Sequence, residues 1–179
     1  MRVTLPETIE TRGLVLRQPR AADAQAIFES YAQDREVTRY LTWLPHPSAE
    51  TTKAFIAKCQ SEWASGSAFA YVLTRKPADE PIGMIDLRLD GMQADLGYVL
   101  AREHWGEGLM PEAASKLVAI ALGHSAIVRV QALCDVENRA SARVLEKAGL
   151  LFEGILRRHV VHPNVSAEPR DVWLYAITK

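Results

Sequence analysis

Long apolar runs are missing from this sequence: nowhere do about 18 hydrophobic residues follow one another, the length a membrane-spanning helix requires. Cysteine is scarce as well. Cys59 and Cys134 are the two present, with no C-x-x-C pair, which argues against a disulfide framework or a zinc knuckle and leaves both thiols expected in the core. Charge of one sign is not in excess either. Charged residues make up 24%, but 21 Lys and Arg against 22 Asp and Glu leave a net charge of -1. No long-range field then draws the chain to nucleic acid or to a membrane surface, and neither partner is expected. The opening residues, MRVTLPETIETRG, hold no apolar h-region, so the expected compartment is the cytoplasm. Repeats and low-complexity tracts are absent.

What is present suits one substantial core: 179 residues with 48% hydrophobic content read as a single domain over 1–179. Leu14 to Arg17, stopped by Pro19, predicts a first strand, and Ala24, Ile27, Phe28 and Tyr31 fall at helical spacing behind Asp23 as N-cap. Residues 38–47 mix aromatics with two prolines and read as an apolar loop. A second helix is expected from Ser48 to Gly66, where Phe55, Ile56, Cys59 and Trp63 share a face. Phe69 to Thr74 and Ile82 to Leu89 read as a hairpin, followed by a strand from about Gln93 to Leu100. A helix opened by Pro111 and Glu112 closes at Gly123. Ile127 to Asp135 is an apolar strand, Asn138 caps a helix ending at Gly149, and Val172 to Ile177 is a last strand. A meander followed by βαβ connections predicts a mixed α/β architecture, with a mostly antiparallel sheet and helices on both faces.

The chemistry is expected in the stretch Trp105-Gly106-Glu107-Gly108-Leu109-Met110, between a strand end and a helix start. Two glycines and a helix N-terminus aim backbone N–H groups into one turn, a geometry that binds phosphate or pyrophosphate. The turn lacks the Lys-Ser/Thr pair of a P-loop, and Pro111 stands where a dinucleotide fingerprint has its third glycine.

This turn resembles that of the GNAT acetyltransferase superfamily, in particular the RimJ/RimL-like branch. Thr11-Arg12-Gly13-Leu14-Val15-Leu16-Arg17, Gly97-Tyr98, Val136-Glu137-Asn138-Arg139-Ala140-Ser141, Lys147-Ala148-Gly149 and Arg170-Asp171 resemble it as well. Trp105 and Met110 depart from the superfamily pattern, where Arg or Gln and a small residue stand, so phosphate contact would fall to backbone amides. The resemblance implies a GNAT fold with a splayed strand pair and acetyl-CoA as acetyl donor. No metal is implied, and either a monomer or a homodimer is compatible with it. It implies that the pantetheine arm lies along Tyr98, Val99 and Leu100, with the Val99 N–H as oxyanion donor. Asn138 and Ser141 would contact the cofactor, and Ser141 would protonate the leaving thiolate, because Leu145 occupies the place of the tyrosine many relatives use. Plainer readings stand beside these: Asn138 as a helix cap, Ser141 as an ordinary first-turn serine and Tyr98 as core.

A primary amine is the implied acceptor, with a protein N-terminal α-amine favoured over a polyamine, amino acid or antibiotic amine, and a carboxylate near it would take its proton; a non-catalytic CoA-binding regulatory domain is the alternative from another class. Glu103, Asp86 and Asp95 are the candidates, with solvated surface carboxylates as the alternative. Tyr40, Trp43 and His46 would line the acceptor mouth or simply pack the loop. His159 and His162, at odd spacing along an expected strand, would face opposite sides and do not make a metal pair.

Overall fold

The computed structural model describes residues 3–179, so Met1 and Arg2 of the opening segment lie outside it. Eight strands form one sheet: β1 (Thr8–Glu10), β2 (Leu14–Arg17), β3 (Ala68–Arg75), β4 (Pro81–Asp90), β5 (Gln93–Leu100), β6 (Arg129–Asp135), β7 (Leu151–Val160) and β8 (Arg170–Thr178). Their order across the sheet is β1-β2-β3-β4-β5-β6-β8-β7. The β5–β6 pair is parallel and the others are antiparallel.

Helix α1 (Ala24–Ile27) continues in a wider turn through Phe28–Ala32, and α2 (Arg35–Thr38) and α3 (Ala49–Ser65) follow before β3. Helix α4 (Leu109–Gly123) joins β5 to β6, and α5 (Arg139–Lys147) joins β6 to β7. Alternation along β3 shows how the layers divide. Ala70 and Val72 pack with Ile27 of α1, Tyr31 of the wider turn after it and Ile56 of α3, whereas Tyr71 and Leu73 join the cluster that holds Leu117 of α4 and Leu145 of α5. Buried on both faces, β3 reads as a continuous apolar run. Cys59 and Cys134 are both buried and unlinked. No described helix is long and apolar enough to cross a membrane.

Several local expectations change. Asp23 does not cap its helix with a side-chain bond. Its carboxylate instead accepts both ends of the buried Arg17 guanidinium, at 2.8 and 2.9 Å, and the Arg20 N–H at 2.7 Å. Helix α4 begins at Leu109, two residues earlier than the proline signal suggested, because Gly108 in the left-handed region already supplies the N-cap. Strand β1 is too short for its alternation to show. Strand β7 is an edge strand whose register shifts at Phe152/Gly154 and Leu156/Val160, which breaks the period-2 pattern that reveals strands.

Gly83 of β4 sits where two backbones nearly touch: a methyl group there would lie 2.5 Å from the Val99 carbonyl oxygen. Gly83→Ala must therefore push β4 and β5 apart. It should cost about 1–3 kcal/mol, the range for overpacking a filled site, read as a lower midpoint in denaturant unfolding.

Candidate active site

The sheet opens at its parallel pair. β5 and β6 are paired at Gln93 with Arg129, Ala94 with Val130 and Asp95 with Gln131, and beyond Asp95 they part, leaving a fork between Leu96–Leu100 and Ala132–Asp135. Alternation decides which backbone groups face it. The Ala101 N–H donates to Ile82 O at 2.8 Å, so two residues back in the same register the Val99–Met84 pair is also hydrogen-bonded, and Val99 turns its main chain toward β4. On the opposite edge the Val128 N–H donates to Met92 O at 2.9 Å, placing even-numbered residues of β5 toward β6 and the fork. The oxyanion role expected for the Val99 N–H therefore does not fit. Tyr98 and Leu100 present their main chains to the fork instead, and Leu100 O already accepts the Trp105 indole N–H at 2.8 Å.

The glycine turn lies directly after the fork. Gly106 and Gly108 have φ of 81° and 80°, conformations that glycine adopts without strain, and side chains placed on either would meet open space. Gly108 caps α4 without a side-chain bond, so the first-turn N–H groups are left to an acceptor from outside the helix. Leu109 and Met110 bury their side chains in the core, at 7% and 3% exposure, and offer the turn their backbones alone. Met110 thus takes the place of a small residue without filling the turn.

Three contacts fix this turn to the rest of the molecule. Trp105 bonds back to the strand end, Arg75 of β3 pairs with Glu107 at 2.8 Å, and Glu112 in the first turn of α4 accepts the Gly13 N–H at 2.8 Å. Burial works against ionisation of Glu112, but the Thr11 hydroxyl, the Gly13 N–H and Arg12 outweigh it and hold the carboxyl below its ordinary range. Glu107, expected to touch the cofactor, has its carboxylate engaged by Arg75 and lies 3.4 Å from His104 Nδ1, so the main chain is what it presents.

Across the fork, α5 brings a second group of expected residues together. Asn138 Oδ1 accepts the Ser141 N–H at 3.1 Å, the helix-cap arrangement. The Tyr98 hydroxyl lies 2.7 Å from Ser141 Oγ and donates to the Ser141 carbonyl at 3.1 Å, so a side chain of β5 reaches over the opening to the start of α5. Burial pushes the Tyr98 hydroxyl well above the ordinary tyrosine value, with the Ser141 bond opposing, and it stays a neutral donor. Cys134 faces the same side, its thiol pushed up to about 12 by burial. Leu145 is wholly buried and purely core. A phenol, absent from the helix at Leu145, thus stands on the opposite wall of the fork, at Tyr98.

The acceptor-side expectations divide. Trp43 packs against the cluster that contains Ala101 and Met84, as does Val99, which puts the α2–α3 loop beside the fork. His46 packs against Trp43 with centroids 4.9 Å apart and the rings tilted by 41°, and it bonds Thr52 Oγ1 through Nδ1 at 2.8 Å; burial lowers its pKa. Tyr40 stands edge-on to His162 at 6.4 Å. Asn164 Nδ2 donates to Thr38 O and Trp43 O, both at 2.8 Å, so the β7–β8 connection is tied to this loop. Asp86 pairs with Arg88 at 2.7 Å, and burial raises its pKa. Asp95 accepts from Gln131 at 2.9 Å. Glu103 sits on the Arg102–His104 turn with its side chain 74% exposed, 3.6 Å from His104, in the position of a surface carboxylate. These three carboxylates are not brought together by any bond.

His159 is exposed, and His162 lies beyond the end of β7, so the two are separated by the loop and not by opposite faces of a strand. Sequence reasoning missed the group around His162. Asp135, fully buried, accepts from Arg170 Nε at 2.5 Å and Nη2 at 3.1 Å, and His162 Nε2 stands 3.7 Å from the same Oδ2 that Arg170 Nε bonds. Arg170 belongs to the Arg170-Asp171 pair of the resemblance, but nothing in the spacing ties it to Asp135.

The acetyltransferase (GNAT) domain family matches residues 13–151. YoaA of Bacillus subtilis (strain 168), an uncharacterized N-acetyltransferase, is 32% identical over 174 residues, covering 96% of each chain. The microcin C7 self-immunity acetyltransferase MccE, solved with acetyl-CoA and AMP, superposes with a TM-score of 0.87 at 20% identity over 97% of each chain. RimL, a ribosomal L7/L12 alpha-N-protein acetyltransferase solved with coenzyme A, does so with 0.86 at 22% identity, over 96% of this chain and 98% of its own. The two structural likenesses bear on the fold alone. The family match spans most of the sequence and YoaA matches nearly all of it, so this chain belongs to the GNAT acetyltransferase family and is an acyltransferase.

Proposed function

We propose that the protein transfers an acetyl group from acetyl-CoA to a primary amine by direct attack, with a protein N-terminal α-amine as the favoured acceptor. The observation that carries this reading is the fork itself: an opened parallel strand pair with a glycine turn and unpartnered helix start at one end and the Tyr98–Ser141 hydroxyl pair across its mouth. The diphosphate of the donor would lie on the N–H groups of the turn, where Gly106 and Gly108 leave room for close approach. Tyr98 and Leu100 main-chain groups would meet the pantetheine arm and the carbonyl oxygen that becomes negative during attack. Ser141, bonded to Tyr98, would deliver the proton to the thiolate as the carbon–sulfur bond breaks. The cytoplasm remains the compartment this chemistry suits.

An α-amine, with a pKa near 7.7–8.0, is partly neutral at pH 7, so it asks less of a base than a lysine side chain near 10.4. A small amine is the second reading. A recess of about 410 Å³ lined by Arg35, Leu44, Pro45 and Asn164 adjoins the acceptor loop and is of small-ligand size, and the MccE likeness was solved with AMP. Release of free thiol from acetyl-CoA, followed in parallel with a peptide bearing a free N-terminal Ser and with spermidine, separates the two. Faster turnover of the peptide is expected, and faster turnover of spermidine would move the assignment to small amines.

A further inference from the structure

Asp86 stands apart from the other two carboxylates in its relation to the open part of the sheet. β4 and β5 pair it with Gly97, and Gly97 is the first residue on its face of β5 beyond Asp95, where the parallel pairing ends. Met84 two residues before it, Ala70 opposite it on β3 and Val99 two residues past Gly97 all pack on the α1–α3 side. The Asp86 side chain therefore rises on that side too. Glycine at 97 is what lets it lean toward the fork. A methyl group there would lie 2.6 Å from Asp86 Oδ1 and 2.8 Å from Arg88 Nη1, so the ion pair fills the room a side chain would take.

The carboxylate has an oxygen to offer. Arg88 holds Oδ2 at 2.7 Å, while Oδ1 accepts no hydrogen bond from the described residues and is not sealed from solvent; 24% of the side chain is exposed. Asp95 lies where β5 and β6 are still paired and accepts from Gln131. Glu103 stands past the end of β5, on the outer surface. Of the three, Asp86 alone joins an unbonded oxygen to a place beside the opened strands. The Tyr98–Ser141 pair stands on the α5 face, one residue along β5 from Gly97. Two sets of proton-handling groups thus flank the fork from opposite faces.

We propose that Asp86, leaning over Gly97, receives the acceptor ammonium on the α1–α3 face of the fork and takes its proton. This rests on the acetyl-transfer reading above and supplies its base. The ammonium gives one proton to Oδ1, and the neutral amine forms the nitrogen–carbon bond to the thioester. The carbon–sulfur bond then breaks, the second amine proton ends on the coenzyme A thiol by way of the hydroxyl pair, and the carboxyl returns its proton to solvent. Burial lifts the Asp86 carboxyl above the ordinary aspartate value; Arg88 beside it on β4 opposes this shift, and Glu62 of α3 and Asp95 of β5 reinforce it. Cys59 of α3 also faces it, as a neutral thiol pushed up to about 12 by burial. A lifted carboxylate holds a proton better and is the stronger base. Because the ionised form is the active one, the rate is full above this raised value and falls as pH drops through it.

The test is a pH profile of kcat/KM for acetyl transfer to the Ser-terminated peptide and to spermidine, in the unaltered protein, Asp86→Asn and Arg88→Gln. Asp86→Asn keeps the side chain's shape and should lose about 100-fold in kcat/KM for the peptide at pH 7, with its acetyl-CoA Kd unchanged. The loss should shrink toward about pH 9, where an α-amine of pKa near 7.7–8.0 is neutral without help. Arg88→Gln removes the charge that favours the carboxylate, so the acid-side inflection should move up in pH. A rate in Asp86→Asn within a few-fold of the unaltered protein, or a loss that stays the same at every pH, overturns the assignment. If Asp86→Asn does not fold, an inflection that stays in place in Arg88→Gln overturns it equally. Acetyl-CoA binding without thiol release to either amine would instead bring down the acetyl-transfer reading, and this proposal with it.

Discussion

Gly108→Asp should lose saturable acetyl-CoA binding while the protein stays folded. The residue has φ of 80° and caps α4, and a side chain placed on it meets nothing within 4 Å. Asp is among the few residues that enter the left-handed region readily, so the backbone strain is modest. Its carboxylate would sit on the N–H groups proposed to hold the diphosphate, satisfying them from within and repelling the ligand. Several kcal/mol of like-charge repulsion corresponds to a Kd raised by about 100-fold or more. Gly108→Asn, nearly the same in shape and neutral, is the control and should weaken binding far less. Calorimetric titration of both variants reads the difference, and equal affinities would show that the turn does not hold the phosphates.

Ser141→Ala and Tyr98→Phe should each lower kcat by about 100-fold, the lower end of what a positioned proton donor contributes, with little change in acetyl-CoA affinity. The two hydroxyls are 2.7 Å apart and act as one unit, so the double variant should be scarcely worse than either single one. Tyr98 is pushed upward from the ordinary tyrosine value by burial. Being protonated below that value, the pair contributes no break in the rate profile between pH 6 and about 10. Full activity in both single variants would remove the hydroxyl pair from the mechanism.

The parts legible in the sequence are those whose signals are local. Gly66 closes α3 in the left-handed region with φ of 77°, and Asn138 caps α5 through the Ser141 N–H, each as its residue type foretells. The glycine turn was visible because two glycines, a strand end and a helix start lie within a few residues. Pairings over distance were not. Tyr98 and Ser141 are 43 positions apart, and only the closing of the sheet brings them together. Val99 and Tyr98 differ by a single step of alternation, and that step decides which backbone faces the fork. No propensity reports it; the Ala101–Ile82 bond and the β4–β5 register do. His162 and Asp135 carried still less signal, since one lies in an irregular loop and the other ends a strand. Asp23 misled for a related reason: as an N-cap type it was assigned locally, whereas a buried Arg17 claims its carboxylate.

If the fork and the glycine turn form an acetyl-CoA site, isothermal titration with acetyl-CoA, run beside NADH, reveals it. Saturable binding of acetyl-CoA with no binding of NADH is expected; no binding of acetyl-CoA would mean that the fork and the turn do not hold this donor.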